Sequence, residues 1–81
     1  MNRDIRSELT RMLSEEMSIA PERVHDDAGL IADLGFDSIA FTMGVVAIEE
    51  RLGIVVSTEG LLGCRTFGDL VAIVEAAGIP A

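Results

Sequence analysis

The 81-residue sequence is poor in the groups on which most catalytic and metal chemistry depends, with one cysteine, one histidine and six basic residues that are all arginine. A single cysteine excludes an internal disulfide and fits a reducing compartment. Cys64 and His25 together are too few for a structural zinc site. A Ser-His-Asp arrangement would have to use His25, and the segment Gly35-Phe36-Asp37-Ser38-Ile39-Ala40 lacks the second glycine of a Gly-x-Ser-x-Gly elbow. Cys64 sits in a Gly-Cys-Arg turn with no partner nearby in sequence, which reads as a small loop or core residue. His25, between Val24 and Asp26, reads as an exposed loop residue. The acidic stretch Asp26, Asp27, Asp33 and Asp37 places Ala28 and Leu30 where an EF-hand needs ligands. No catalytic residue and no metal ligand is assigned, so an enzyme is not expected.

Positive charge is scarce as well: six basic residues stand against fourteen acidic ones, a net charge of −8. Nucleic acid would be repelled, anionic membrane surfaces are disfavoured, and basic protein surfaces become the natural partners, with steering that salt weakens. No apolar run approaches the roughly 18 residues of a membrane span. The start, Met1-Asn2-Arg3-Asp4, has no apolar signal core. A soluble, cytoplasmic, monomeric chain without membrane or nucleic-acid partners is expected.

What is present is apolar content, 49% of residues, enough to pack one small domain spanning residues 1–81. Ile5, Leu9, Met12 and Leu13 recur at helical spacing and predict a helix over about 3–17. Pro21 stops regular structure, and a long loop to Gly35 follows, pinned to the core by Ile19, Val24, Leu30 and Leu34. Loops of this length in small domains are usually functional. Asp37 is a good N-cap for a second helix over 38–52, ended by Gly53. Ile54, Val55 and Val56 read as an extended segment with buried side chains, since a lone strand has no partner. Ser57 or Thr58 starts a short helix over 58–62, and Thr66-Phe67-Gly68-Asp69 fits a capping box for a last helix over 67–77 whose buried face is Phe67, Leu70, Val71 and Val74. Gly78 and Pro80 stop it.

At about 100° per residue, Phe41, Val45, Ile48 and Leu52 form one stripe of the second helix, while Ile39, Met43 and Val46 form another on nearly the opposite side. Both cannot face one core. The first is larger and is assigned inward, which leaves the second exposed. Ser38, at the start of this helix, sits where backbone N–H groups lack partners and the helix dipole favours negative charge. A phosphate on Ser38 would be well placed.

Asp33-Leu34-Gly35-Phe36-Asp37-Ser38-Ile39 resembles the Asp-Leu-Gly-x-Asp-Ser-Leu signature of acyl carrier proteins. Pro21, Val24, Asp27 and Leu30 match that family's anchors before the motif; Ala47-Ile48-Glu49-Glu50-Arg51-Leu52-Gly53-Ile54 and Thr66-Phe67-Gly68-Asp69-Leu70-Val71 look like its second-helix end and last-helix start. Together they cover about residues 20–75. The resemblance implies an all-α four-helix bundle with three long helices and one short one. It implies a non-catalytic carrier holding an acyl or aminoacyl group as a thioester on 4′-phosphopantetheine, derived from coenzyme A and attached to Ser38. Asp37 matches the acidic neighbour that helps the phosphopantetheinyl transferase and its metal engage the carrier. Implied partners are that transferase, a loading enzyme, and downstream synthase or tailoring enzymes with basic and apolar docking surfaces.

The second helix departs from fatty-acid carriers, having Ala40 and Met43 where acidic residues are usual and keeping Asp37, Glu49 and Glu50. Ile39, Met43, Val46, Glu49 and Glu50 are the expected partner-binding residues, apolar at the centre and acidic at the ends. This favours a dedicated, polyketide-like or hybrid pathway over housekeeping fatty-acid synthesis. Gly44 replaces a large aliphatic and either lets another helix approach or leaves room for cargo. An unmodified helical adaptor docking partners through Ile39, Met43 and Val46 is the alternative reading.

Overall fold

The computed structural model describes residues 4–78, which form four α-helices in the order α1 (Ile5–Met17), α2 (Ser38–Leu52), α3 (Thr58–Leu62) and α4 (Phe67–Gly78). Among the described residues there is no strand. Three of the helices are long and one is short, the all-α four-helix arrangement that the resemblance implies. α2 packs against α1 and α3, and α4 packs against α1 and α3.

Each helix begins where a local side chain satisfies an orphan N–H group. Asp4 caps α1, accepting from the Ser7 N–H at 3.4 Å and from the Ser7 hydroxyl at 2.7 Å. Those two bonds hold the Asp4 carboxyl below its ordinary pKa. α1 therefore starts at Ile5, and the expected start near residue 3 lies outside the described residues. Asp37 caps α2 through Ala40 N–H at 2.8 Å, and Ser57 caps α3 through Gly60 N–H at 3.0 Å. At α4 the capping box is complete: Thr66 Oγ1 accepts from Asp69 N–H at 3.2 Å while Asp69 Oδ2 accepts from Thr66 N–H at 3.3 Å. α4 runs one residue beyond the expected end, through Gly78, and Pro80 lies outside the described residues.

The core joins Leu9, Met12 and Leu13 of α1 to Phe41, Ile48 and Leu52 of α2, Leu61 of α3, and Phe67, Leu70, Val71 and Val74 of α4. Arg51 near the end of α2 reaches back to α1, pairing with Glu15 and, at 3.4 Å, with Glu16.

Two sequence expectations need correction. Pro21 does not end regular structure, because Pro21–Arg23 form a 3₁₀ turn, which proline's fixed φ suits. The segment from Ile54 to Val56 buries only Val56; Ile54 is half-buried and Val55 is 71% exposed. An extended backbone turns successive side chains to opposite sides, so three in a row cannot all face the core. The long loop is pinned to the core by Ile19, Val24, Leu30 and Leu34 as expected, and its backbone adds to this. Its backbone pairs with the approach to α4: Leu30 N–H donates to Arg65 O at 2.9 Å, Phe67 N–H to Ala28 O at 2.8 Å, and Gly68 N–H to Asp26 O at 3.0 Å. Gly29 and Thr66 form an antiparallel bridge.

Candidate functional site

The loop delivers Ser38 through a chain of local bonds. Gly29 O accepts from both Asp33 N–H and Leu34 N–H at 2.9 Å, Asp33 Oδ2 accepts from Gly29 N–H at 2.6 Å, and Phe36 N–H closes onto Leu30 O at 2.8 Å. Arg23 donates to Asp33 O. Leu34 and Phe36 are thereby driven into the core, and Phe36 meets Phe41 of α2 edge to face with ring centroids 5.2 Å apart. Gly35, at φ 76°, takes the left-handed turn that a side chain would resist. The loop is consequently fixed to α2 through the Phe36–Phe41 contact and the Asp37 cap.

Ser38 is the first residue of α2 and is exposed. Its carbonyl accepts from the Thr42 hydroxyl at 3.0 Å. Its own hydroxyl makes no hydrogen bond to the described residues. Two other serines beside helix N-termini differ in this respect: the Ser7 hydroxyl is bound to Asp4, and the Ser57 hydroxyl caps Gly60. Asp37 is committed to Ala40 N–H, so the N–H groups of Ser38 and Ile39 remain at the positive end of the helix dipole. An exposed, uncommitted hydroxyl at that place fits a phosphodiester link.

On α2, Ile39, Met43 and Val46 are 68%, 45% and 51% exposed, whereas Phe41 and Ile48 are buried and Val45 is half-buried. Glu49 and Glu50 are both exposed, but the 100° step puts Glu50 in line with the apolar stripe and Glu49 about a quarter turn away. Glu50 lines a hollow with Met43, Val46 and Glu16 of α1. A second hollow, beside Ser38, brings Met17 and Ile19 opposite Ile39 and Met43. The α1 side of these hollows was not foreseen from sequence. Its one signal is Met17, an apolar residue one turn beyond Leu13 that is only partly buried against the core. Gly44 is buried, and a side chain there would meet Leu61 Cδ2 at 3.6 Å and Met17 Cε at 3.9 Å, so α3 and α1 both come close to α2 at this point.

Asp26 pairs with Arg6, and His25 is exposed. Cys64 is buried with its Sγ 3.6 Å from Gly60 O, and burial, helped by the charge of Asp69, pushes its thiol pKa up. A protonated, enclosed thiol is a poor nucleophile.

The family model described as the phosphopantetheine attachment site matches residues 7–74. The chain belongs to that family. Among its relatives it is 46% identical over 72 residues to the acyl carrier protein MbtL of Mycolicibacterium paratuberculosis, covering 89% of this chain and 81% of that protein. It is 48% identical over 68 residues to the acyl carrier protein MbtL of Mycobacterium tuberculosis H37Rv, covering 84% and 81%. It is 34% identical over 76 residues to the acyl carrier protein of Renibacterium salmoninarum, covering 94% of each. The chain is a carrier protein of the phosphopantetheine family, and its cofactor is covalently attached 4′-phosphopantetheine. Carriers of this family interact with phosphopantetheinyl transferases and synthase enzymes. No helix among the described residues is long and apolar enough to cross a membrane.

Proposed function

We propose that Ser38 is the attachment residue and that the protein, a single carrier domain over residues 1–81, presents an acyl thioester to enzymes of a dedicated biosynthetic pathway without catalysing a step itself. The observation that carries this reading is the Ser38 hydroxyl: exposed and uncommitted at the first position of α2, inside the matched region. When bound, 4′-phosphopantetheine supplies the thiol on which cargo is held. The protein's own residues supply the anchor and its orientation. The N-terminal N–H groups of α2 favour the negative phosphodiester, and the bonded loop keeps Ser38 at the surface. Asp37 serves both as cap and as an acidic contact for the phosphopantetheinyl transferase and its metal.

Partners dock on Ile39, Met43 and Val46, with Glu50 along the same line and Glu49 to its side. Apolar contact supplies the centre of such an interface, and the net charge of −8 steers basic enzyme surfaces towards it. The loading enzyme and the downstream synthase or tailoring enzymes share this surface in turn, and the carrier works as a cytoplasmic monomer. A dedicated pathway is supported by identity of 46% and 48% to the MbtL carriers against 34% to the protein named simply acyl carrier protein.

Intact mass after incubation with coenzyme A and a phosphopantetheinyl transferase tests the assignment. The wild type is expected to gain one phosphopantetheinyl group. Ser38→Ala is expected to gain none while keeping its helical circular dichroism, because the Asp37 cap and the helix are untouched. Modification of the alanine variant would overturn the assignment.

A further inference from the structure

We propose that Arg23 is a positioning residue for the modification of Ser38, holding the segment that leads into α2 in the form a phosphopantetheinyl transferase can bind. The inference rests on the attachment reading above and deepens it by naming a distant side chain that acts on the same step through the loop. The two halves of that loop are held differently. Its first half is tied to the approach to α4 by the backbone bonds of Asp26, Ala28 and Leu30, and Asp26 also pairs with Arg6 of α1. Residues 31–36, which lead to the serine, bond mainly to the loop itself: Asp33 and Leu34 N–H return to Gly29 O, Phe36 N–H returns to Leu30 O, and the Asp33 carboxylate accepts from Gly29 N–H. Among the described residues, one hydrogen bond reaches this segment from another element, the one that Arg23 Nη2 donates to Asp33 O.

The base from which Arg23 reaches is firm. It closes the 3₁₀ turn, in which Arg23 N–H donates to Ala20 O at 2.9 Å and Val24 N–H to Pro21 O at 3.0 Å, and the turn packs on α1. Proline's fixed φ stiffens that turn further. The guanidinium stays charged at any working pH, and a charged donor makes a stronger bond to a carbonyl than a neutral one does. The segment it holds needs such a bond, because Ile31, Ala32 and Asp33 are all exposed and burial resumes only at Leu34 and Phe36. Leu34, Gly35 and Asp37, which continue from Asp33, line the hollow beside the serine. Slack at Asp33 therefore reaches the surface next to the attachment point while the core stays closed. A carrier with a loose flank spends less of its time in the form that binds the transferase, which raises the apparent KM.

Charge and position predict opposite signs, which makes the proposal testable. Loss of an arginine makes an acidic chain more acidic, and steering alone would then lower KM towards a basic enzyme surface. Intact-mass time courses with coenzyme A and a phosphopantetheinyl transferase compare the full-length wild type with Arg23→Ala, Arg23→Lys and Arg6→Ala, the last removing the same charge and a loop contact away from the serine. For Arg23→Ala the expected result is a KM for the carrier raised about 3- to 10-fold with kcat nearly unchanged. Lysine, another charged donor, should recover most of the loss, and Arg6→Ala should load at least as well as the wild type. The Tm of Arg23→Ala should stay within about 4 °C of wild type, as for other exposed contacts. Amide exchange should quicken at Asp33 and Leu34 but not at Phe67, whose N–H pairs with Ala28. An unchanged or lowered KM for Arg23→Ala would overturn the proposal, and so would an equal rise for Arg6→Ala, no recovery with lysine, or unchanged exchange at Asp33 and Leu34. A larger fall in Tm would make Arg23 a general support of the fold and overturn it too. A wild type that gains no phosphopantetheinyl mass would instead overturn the attachment reading, a failure seen before any variant is compared.

Discussion

The two sides of α2 carry similar residue types and do opposite work. Phe41 and Ile48 are 2% and 0% exposed, while Ile39 and Val46, of comparable hydropathy, are 68% and 51% exposed. The difference is therefore not one of composition. The inner side is enclosed by α1 and α3, whereas the outer side is left open beside the serine that bears the cofactor in our reading. An apolar residue on the inner side contributes to stability, and one on the outer side is available for binding.

Substitutions on the two sides should separate these contributions, beginning with the largest effect. Phe41→Ala is expected to destabilise the protein by about 3–5 kcal/mol, since the ring is buried and its contact with Phe36 is lost. Urea unfolding measures this, and a loss below about 1 kcal/mol would mean that the inner side does not carry the core. Asp37→Ala, at the junction of the two sides, should cost about 0.5–2 kcal/mol through the lost cap and should slow cofactor transfer. If transfer kept its wild-type rate in a stopped assay, Asp37 would be a cap alone.

Gly44→Ala sharpens the comparison from the other direction. A methyl group there meets Leu61 and Met17 at ordinary contact distances, and alanine is favoured over glycine in a helix, so a gain of about 0.5–1 kcal/mol is expected. A lowered urea midpoint would show that the neighbouring helices cannot accommodate the methyl. Met43→Glu on the outer side should change stability least, within about 0.5 kcal/mol, while weakening acyl transfer to or from partner enzymes. A thermal melt beside a transfer assay decides between the sides: a large fall in Tm with transfer intact would reverse their roles.

Much of this arrangement is legible in the sequence because the signals are local. Asp37, Ser57 and the Thr66/Asp69 pair each bond within three residues, so the helix starts follow from the chain itself. Gly53, at φ 69°, ends α2 for an equally local reason. The division of α2 into two stripes follows from the fixed turn of the helix. The stretch from Asp33 to Ile39 carries the family resemblance without reference to any other part of the fold.

Only tertiary structure decided the contacts between residues far apart in the chain, where no short-range pattern identifies the partner. The pairing of the loop around Ala28 with Phe67, the reach of Arg51 to Glu15, and the burial of Val56 but not Val55 belong to this group. So does the α1 side of the hollow beside Ser38, where Met17 and Ile19 come beside Met43 because α1 and α2 pack together. The amino-acid sequence determined the helices and the serine at the head of α2, since capping and periodicity act within a turn or two. Which apolar residues became core and which stayed at the surface was settled by helix packing, because burial is a property of what lies opposite rather than of the residue itself.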